Sequence, residues 1–155
     1  MPKKSYNEKL NNAGNLPHIE DLSAKPESVK RFGGTKLLVA SPMQYNGIMA
    51  KIPEGKVITA DRVRAFLAKE ANVDATCPLT AGIFINICAH AAVERGDDDF
   101  PYWRTLKAKG ELNEKYPDGI EGQKMRLEAE GHVVIQKGKR YFAERYGDAL
   151  VENFI

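Results

Sequence analysis

The chain is short of cysteine and almost without net charge, and the first of these shortages closes off a class of protein. Two cysteines in 155 residues, Cys77 and Cys88, exclude a disulfide scaffold and fit a reducing compartment. In a regular helix over that stretch the two thiols stand about three turns apart, too far to bridge. Lys and Arg number 23 against 21 Asp and Glu, a net +2 that does not by itself announce a nucleic-acid binder. His90 and Glu94 sit at i, i+4, a spacing that can hold a metal, but no third ligand accompanies them. No metal and no other cofactor is expected. The opening MPKKSYNEKLNNAG lacks the apolar core of a secretory signal. The longest apolar stretch is too short, and too polar at its ends, to span a bilayer. A cytoplasmic chain with no membrane partner is the expectation. No internal repeat is evident.

What remains is ordinary globular composition, enough for one core. The length suits one domain behind an arm: an N-terminal arm over 1–35, rich in Lys, Asn, Pro and Gly, and a domain over 36–155. Short helices are predicted near Ser5–Asn12 and Pro26–Phe32, and the arm either straps the domain or reaches toward DNA. KLLVA (36–40) reads as a buried strand. Ser41-Pro42 opens a helix to about Lys51 that buries Met43, Ile48 and Met49. Thr59 caps the next helix, with Asp61 in its first turn, Val63, Phe66 and Leu67 inward, and Arg62, Arg64 and Lys69 outward.

A short turn leads to TCPLTAGIFINICAHAAVE (76–94), the longest helix, with Thr76 as its cap and Pro78 in its first turn. It is apolar or small nearly all round, so it packs on several sides. Thr80, Ala81 and Gly82 leave a bare first turn that another backbone can approach. PYWRTLK (101–107) is predicted extended. IEGQKMRLEAEG is a helix stopped by Gly131, and HVVIQKGKRYFAE is a β-hairpin with a basic tip. Leu150 and Phe154 are expected to pack a closing turn. Two helices around a short turn, followed by a basic hairpin, give an α+β expectation of a winged helix-turn-helix.

In order, these segments resemble the C-terminal domain of the alkylguanine-DNA alkyltransferase family over about residues 42–132. IPEGKVITADRVRAFLA is similar to that family's IPxGKVxTYxxLA. PYWRTLKAKGEL stands where the family has PCHRVxxxxGxL, and IEGQKMRLEAEG stands where it has the helix ending LLxxEG. The resemblance implies a winged helix whose second motif helix meets DNA. The family's chemistry needs a cysteine acceptor, an adjacent histidine base and a glutamate that orients it. Here those positions carry Tyr102, Trp103 and Glu130. A phenol with a pKa near 10 is a poor nucleophile at neutral pH, so no alkyl transfer is expected. The chain is closer to the alkyltransferase-like proteins, which bind alkylated DNA without repairing it and recruit other repair factors. Those proteins use an aromatic to rotate the nucleotide and an arginine to fill the stack. This chain has Ala60 and Leu79 there.

The resemblance implies double-stranded DNA as partner, with contacts from Thr59, Arg62, Arg64, Thr80, Arg104, Lys137 and Lys139, and a base pocket walled by Tyr102, Trp103 and Glu130. Aromatic residues can stack on a base, but Tyr and Trp on such a segment are equally ordinary core. Lys107, Lys109 and Arg140 extend the basic set, which either tracks phosphates or balances nearby acids. Asp97–Asp99 reads as an acidic surface loop that repels phosphates. Two further readings stand beside DNA binding. One is an interaction module on the same fold. The other is a thiol enzyme using Cys77, which lies at a helix N-terminus with no neighbouring His or Asp.

Overall fold

The computed structural model describes residues 4–151. The first helix, α1 (Tyr6–Asn11), is capped by Ser5, whose side chain accepts from the Glu8 N–H. Only Leu10 of α1 is buried, so the helix is fixed mainly by polar contacts. Glu94 accepts from the backbone N–H of Tyr6 (3.0 Å) and Asn7 (3.1 Å) and from the Asn7 side-chain amide (2.9 Å). A distant carboxylate thus satisfies N–H groups that a helix start leaves free.

Strand β1 (His18–Asp21) pairs antiparallel with β2 (Lys36–Val39), with α2 (Pro26–Phe32) between them. Residues 37–39 of β2 are buried, as the apolar run predicts. Helix α3 (Pro42–Met49) starts at the predicted Ser41-Pro42, where Ser41 and Gln44 form a reciprocal capping box. Ile48 and Met49 are buried as expected, but Met43 is exposed and Tyr45 takes the core position. Tyr45 lies three and four residues before the buried pair, on the same helical face, whereas Met43 has turned away from it.

Strand β3 (Ile58–Thr59) runs into α4 (Ala60–Ala71), which Asn72 ends in the left-handed conformation (φ 56°, ψ 49°). A two-residue strand β4 (Ala75–Thr76) then joins β2 in parallel, giving sheet order β1-β2-β4. Helix α5 (Pro78–Glu94) follows at once. Its cap position holds Cys77, not the expected Thr76. Thr76 is drawn into the sheet, and its hydroxyl donates to the Arg64 carbonyl at 2.8 Å.

The 101–107 segment, expected to be extended, is so only in part. Tyr102–Arg104 forms a 3-10 turn, and only Thr105–Leu106 (β5) pairs, in parallel with β3. Helix α6 (Gly119–Ala129) ends before Gly131, whose φ of 93° lets the chain turn away. Strands β6 (Val134–Lys137) and β7 (Arg140–Ala143) form the expected hairpin around Gly138-Lys139. Leu150 bridges back to Val57, while Phe154 lies outside the described residues. Helices and small sheets make this an α+β fold.

Two apolar clusters form the interior. The larger gathers Tyr45, Met49, Val63, Ile85 and Cys88 around α5, and the smaller holds Val57, Leu106, Leu112, Leu127 and Ala143 beneath α6 and the hairpin. Trp103 packs against both. No helix among the described residues is long and apolar enough to cross a membrane.

Candidate nucleic-acid interface

The outer face of α5 is apolar and open. Leu79 is 72% exposed and Ile83 48%, and a side chain at Gly82 would meet only open space. From Pro78 to Val93 the helix carries neither Lys nor Arg. Beside its first turns is a hollow of about 320 Å³, lined by Ala60, Leu79, Ile83 and Asn86 on one side and by Lys107, Lys115 and Tyr116 on the other. Its wall is clasped to α5 by two contacts. The Asn113 amide donates to the Asn86 side-chain oxygen at 2.8 Å, and His90 Nε2 lies 2.7 Å from the Lys115 carbonyl.

The triplet after Pro101 lies behind this wall. Tyr102 is 3% exposed, with its ring edge-on to Tyr116 at 5.2 Å and to Trp103 at 5.4 Å. Burial raises its phenol pKa. Tyr116 lines the hollow beside α5, and Tyr102 does not. Tyr102 and Trp103 instead line a separate depression of about 260 Å³, together with Val93, Asp97, Asp98 and Arg126.

Glu130 lines neither space. It accepts from Trp103 Nε1 at 3.0 Å, from Arg104 Nε at 2.9 Å and Nη2 at 2.7 Å, and from the Gly55 N–H at 3.3 Å. The Glu130 and Arg104 side chains are 7% and 15% exposed. Burial pushes the Glu130 carboxyl upward, but the donors from Arg104, Trp103 and Gly55 outweigh it and hold the pKa below 4.5. Arg104 spends Nη1 on the Ile52 carbonyl at 2.7 Å. The fork that the sequence assigned to DNA is therefore used to close the fold.

The other expected DNA contacts fall into two groups. Thr59 is buried, which keeps its hydroxyl from a phosphate. Thr80 points back toward the Cys77 carbonyl, 3.5 Å away. Arg64 borders a groove between Phe32, α4 and β4. Arg62, Lys137 and Lys139 are exposed and form no ion pair among the described residues. Arg140 is held by Glu111 through two bonds of 3.0 and 2.6 Å, and Lys107 faces Glu114 and Glu111. The cations of the hairpin turn outside these ion pairs are thus Lys139 and Lys137, the latter lying over the Phe142 ring at 5.5 Å.

The remaining chemistry-bearing residues are mostly occupied. Cys88 is buried, gives its thiol to the Pro42 carbonyl at 3.4 Å, and is pushed by burial to a pKa of about 12. Cys77 is free and half-buried, with no hydrogen bond to its sulfur among the described residues. His90 stacks on Tyr6 at 4.8 Å, and Glu94 anchors α1, so this pair fastens the N-terminal helix. No group of three metal-ligating side chains occurs among the described residues.

Sequence reasoning missed Gln123 as a connector. Fully buried, it accepts from the Asn113 N–H at 2.7 Å and donates to the Trp103 carbonyl at 3.0 Å. The available signal was a glutamine on the apolar face of α6, between Ile120 and Leu127. Tyr116, whose hydroxyl donates to the Thr105 carbonyl at 2.7 Å, sat in a turn-rich stretch with no signal.

The α+β arrangement of these helices and small sheets is the fold of the alkyltransferase-like proteins. Two solved structures of that type match it. One is described as Schizosaccharomyces pombe ATL in complex with DNA, at TM-score 0.54 and 20% identity. The other is S. pombe Atl1 in complex with damaged DNA containing O6-carboxymethylguanine, at TM-score 0.51 and 19% identity. Each alignment covers 72% of this chain and 94% of the other. No family model and no curated protein matches the sequence.

Proposed function

We propose that this chain is a DNA-binding protein of the alkyltransferase-like type, which holds duplex DNA, reads damaged or modified bases and accepts no alkyl group. One observation carries the non-catalytic part. The acceptor position is a buried phenol whose pKa is raised, and the adjacent Trp103 N–H is committed to Glu130. A nucleophile needs an ionised atom or a neighbouring base, and Tyr102 has neither. The DNA part is supported by a fold shared with structures solved on DNA and by the exposed cations Arg62, Lys137 and Lys139. On this reading α4 and α5 act as a helix-turn-helix, β6–β7 acts as its wing, residues 1–35 strap the 36–155 domain, and DNA-repair proteins in the cytoplasm are its further partners.

The test combines binding and mass. Anisotropy on plain and O6-alkylguanine duplexes is expected to give an affinity that falls steeply with salt. Replacing Lys137 and Lys139 by Ala is expected to lower the log–log slope by about 2. Intact mass after incubation stays unchanged, and a stoichiometric gain of one alkyl group sinks the non-catalytic reading.

A second reading, a protein-interaction module that has lost DNA, is favoured by one feature. The exposed face of α5 is apolar and lacks Lys and Arg, with the acidic 97–99 loop following the helix. Salt-sensitive duplex binding argues against it.

A further inference from the structure

The depression that holds Tyr102 and Trp103 has a chemistry that neither DNA binding nor the joint at Glu130 uses. Three of its lining residues are aromatic, Phe100, Tyr102 and Trp103, and two are carboxylates, Asp97 and Asp98. Phe100 and Tyr102 are buried, Trp103 is half-buried, and the Tyr102 and Trp103 planes stand 83° apart. Arg126 lies over both of these rings, its guanidinium carbon 5.6 Å from each centroid. A cation seated between two rings reports where their electron-rich faces point. Its tethers are light: the Gly122 carbonyl of its own helix at 3.1 Å and the exposed Asp118 at 3.8 Å. Arg95 lies over Phe100 at 5.6 Å and binds Asp97 at 3.2 Å, so Asp97 is already shared. Asp98 is exposed and forms no hydrogen bond or ion pair among the described residues. Val93, at the edge of the same space, is 53% exposed.

Ring faces, an unpaired carboxylate and an exposed apolar residue suit a planar cation on an aliphatic stem. The head stacks on the rings and pairs with the carboxylate, while the stem covers Val93. A nucleotide fits poorly, because Asp97 and Asp98 repel its phosphate. We propose that this depression is a docking site for an arginine side chain on a basic segment of a protein partner. The incoming guanidinium displaces Arg126 from Tyr102 and Trp103 and pairs with Asp98, and Arg126 closes on Asp118. Arg126 is thus a placeholder that covers the rings in the free protein, and a partner binds by winning that competition. The site goes beyond the DNA reading and stands independently of it.

The test titrates the full chain with the capped peptide Gly-Arg-Gly-Arg-Gly and with its counterpart carrying neutral citrulline in place of arginine. Trp103 is the single tryptophan of the chain, so its emission reads the depression directly. The arginine peptide is expected to change that emission saturably, and the citrulline peptide to bind about tenfold more weakly. Asp98→Asn, a change in an exposed loop, weakens the arginine peptide about threefold at low salt. Arg126→Gln tightens it about threefold, because the internal competitor is gone. Urea midpoints report whether the variants fold, and if Arg126→Gln does not, the Asp98→Asn and citrulline comparisons decide. Equal binding of the two peptides, or no saturable change at millimolar peptide, overturns the site. So does weaker binding by a folded Arg126→Gln, which would make Arg126 part of the site and its ligand an anion.

Discussion

Removing the Glu130 carboxylate tests the fold's central polar joint. Glu130→Ala strands the Arg104 guanidinium at 15% exposure with only the Ile52 carbonyl, and it orphans the Trp103 and Gly55 N–H groups. Breaking a buried pair from one side costs about 3–5 kcal/mol. For a chain of this size that lowers the melting temperature by about 6–20 °C. Glu130→Gln keeps an acceptor and the shape, so its cost is smaller, about 2 kcal/mol. Adding Arg104→Met to Glu130→Gln recovers about 1 kcal/mol, since the stranded charge is gone. The assay is urea unfolding monitored by Trp103 fluorescence as a function of pH. The folded carboxyl titrates below its ordinary 4.5, so its contribution is full above that value and is lost as the pH falls through the lower folded pKa. Wild type therefore loses stability over that window, and Glu130→Gln lacks this component. A Glu130→Ala cost under about 1 kcal/mol, or an unchanged acid profile in Glu130→Gln, refutes the reasoning.

Two further outcomes follow from packing. Gly110 has φ 81°, and a Cβ there runs into the Tyr146 ring, so Gly110→Ala is expected to cost about 2–4 kcal/mol in urea unfolding, with a loss below 0.5 counting against the close approach. A thiol reagent is expected to modify Cys77 in the native protein and Cys88 only after denaturation, because Cys88 is buried with a pKa of about 12; simultaneous labelling contradicts that placement.

Elements with local signals were readable in the sequence. Ser41-Pro42, Gly131 and the Lys137-Gly138-Lys139 tip each act within a few residues, and the helix and hairpin boundaries near them agree with the structure. Thr76 was misjudged because a parallel strand partner at Leu38, far away in sequence, pulled it out of the cap. The 3-10 turn was misjudged for a similar reason: Trp103 and Arg104 answer to Glu130, 27 and 26 residues on. The resemblance named Tyr102, Trp103, Arg104 and Glu130 together. It did not reveal that they form a closed joint, with Tyr116 between Tyr102 and the hollow.

Gln123 has a consequence of its own. One amide grips two backbones at once, its oxygen on Asn113 and its nitrogen on Trp103. Glutamate would lose the donor, asparagine would fall short of one backbone, and leucine would fill the space while releasing both. The rim of the hollow and the aromatic turn behind it are therefore riveted as one plate, and a ligand that pushes on either must lift both.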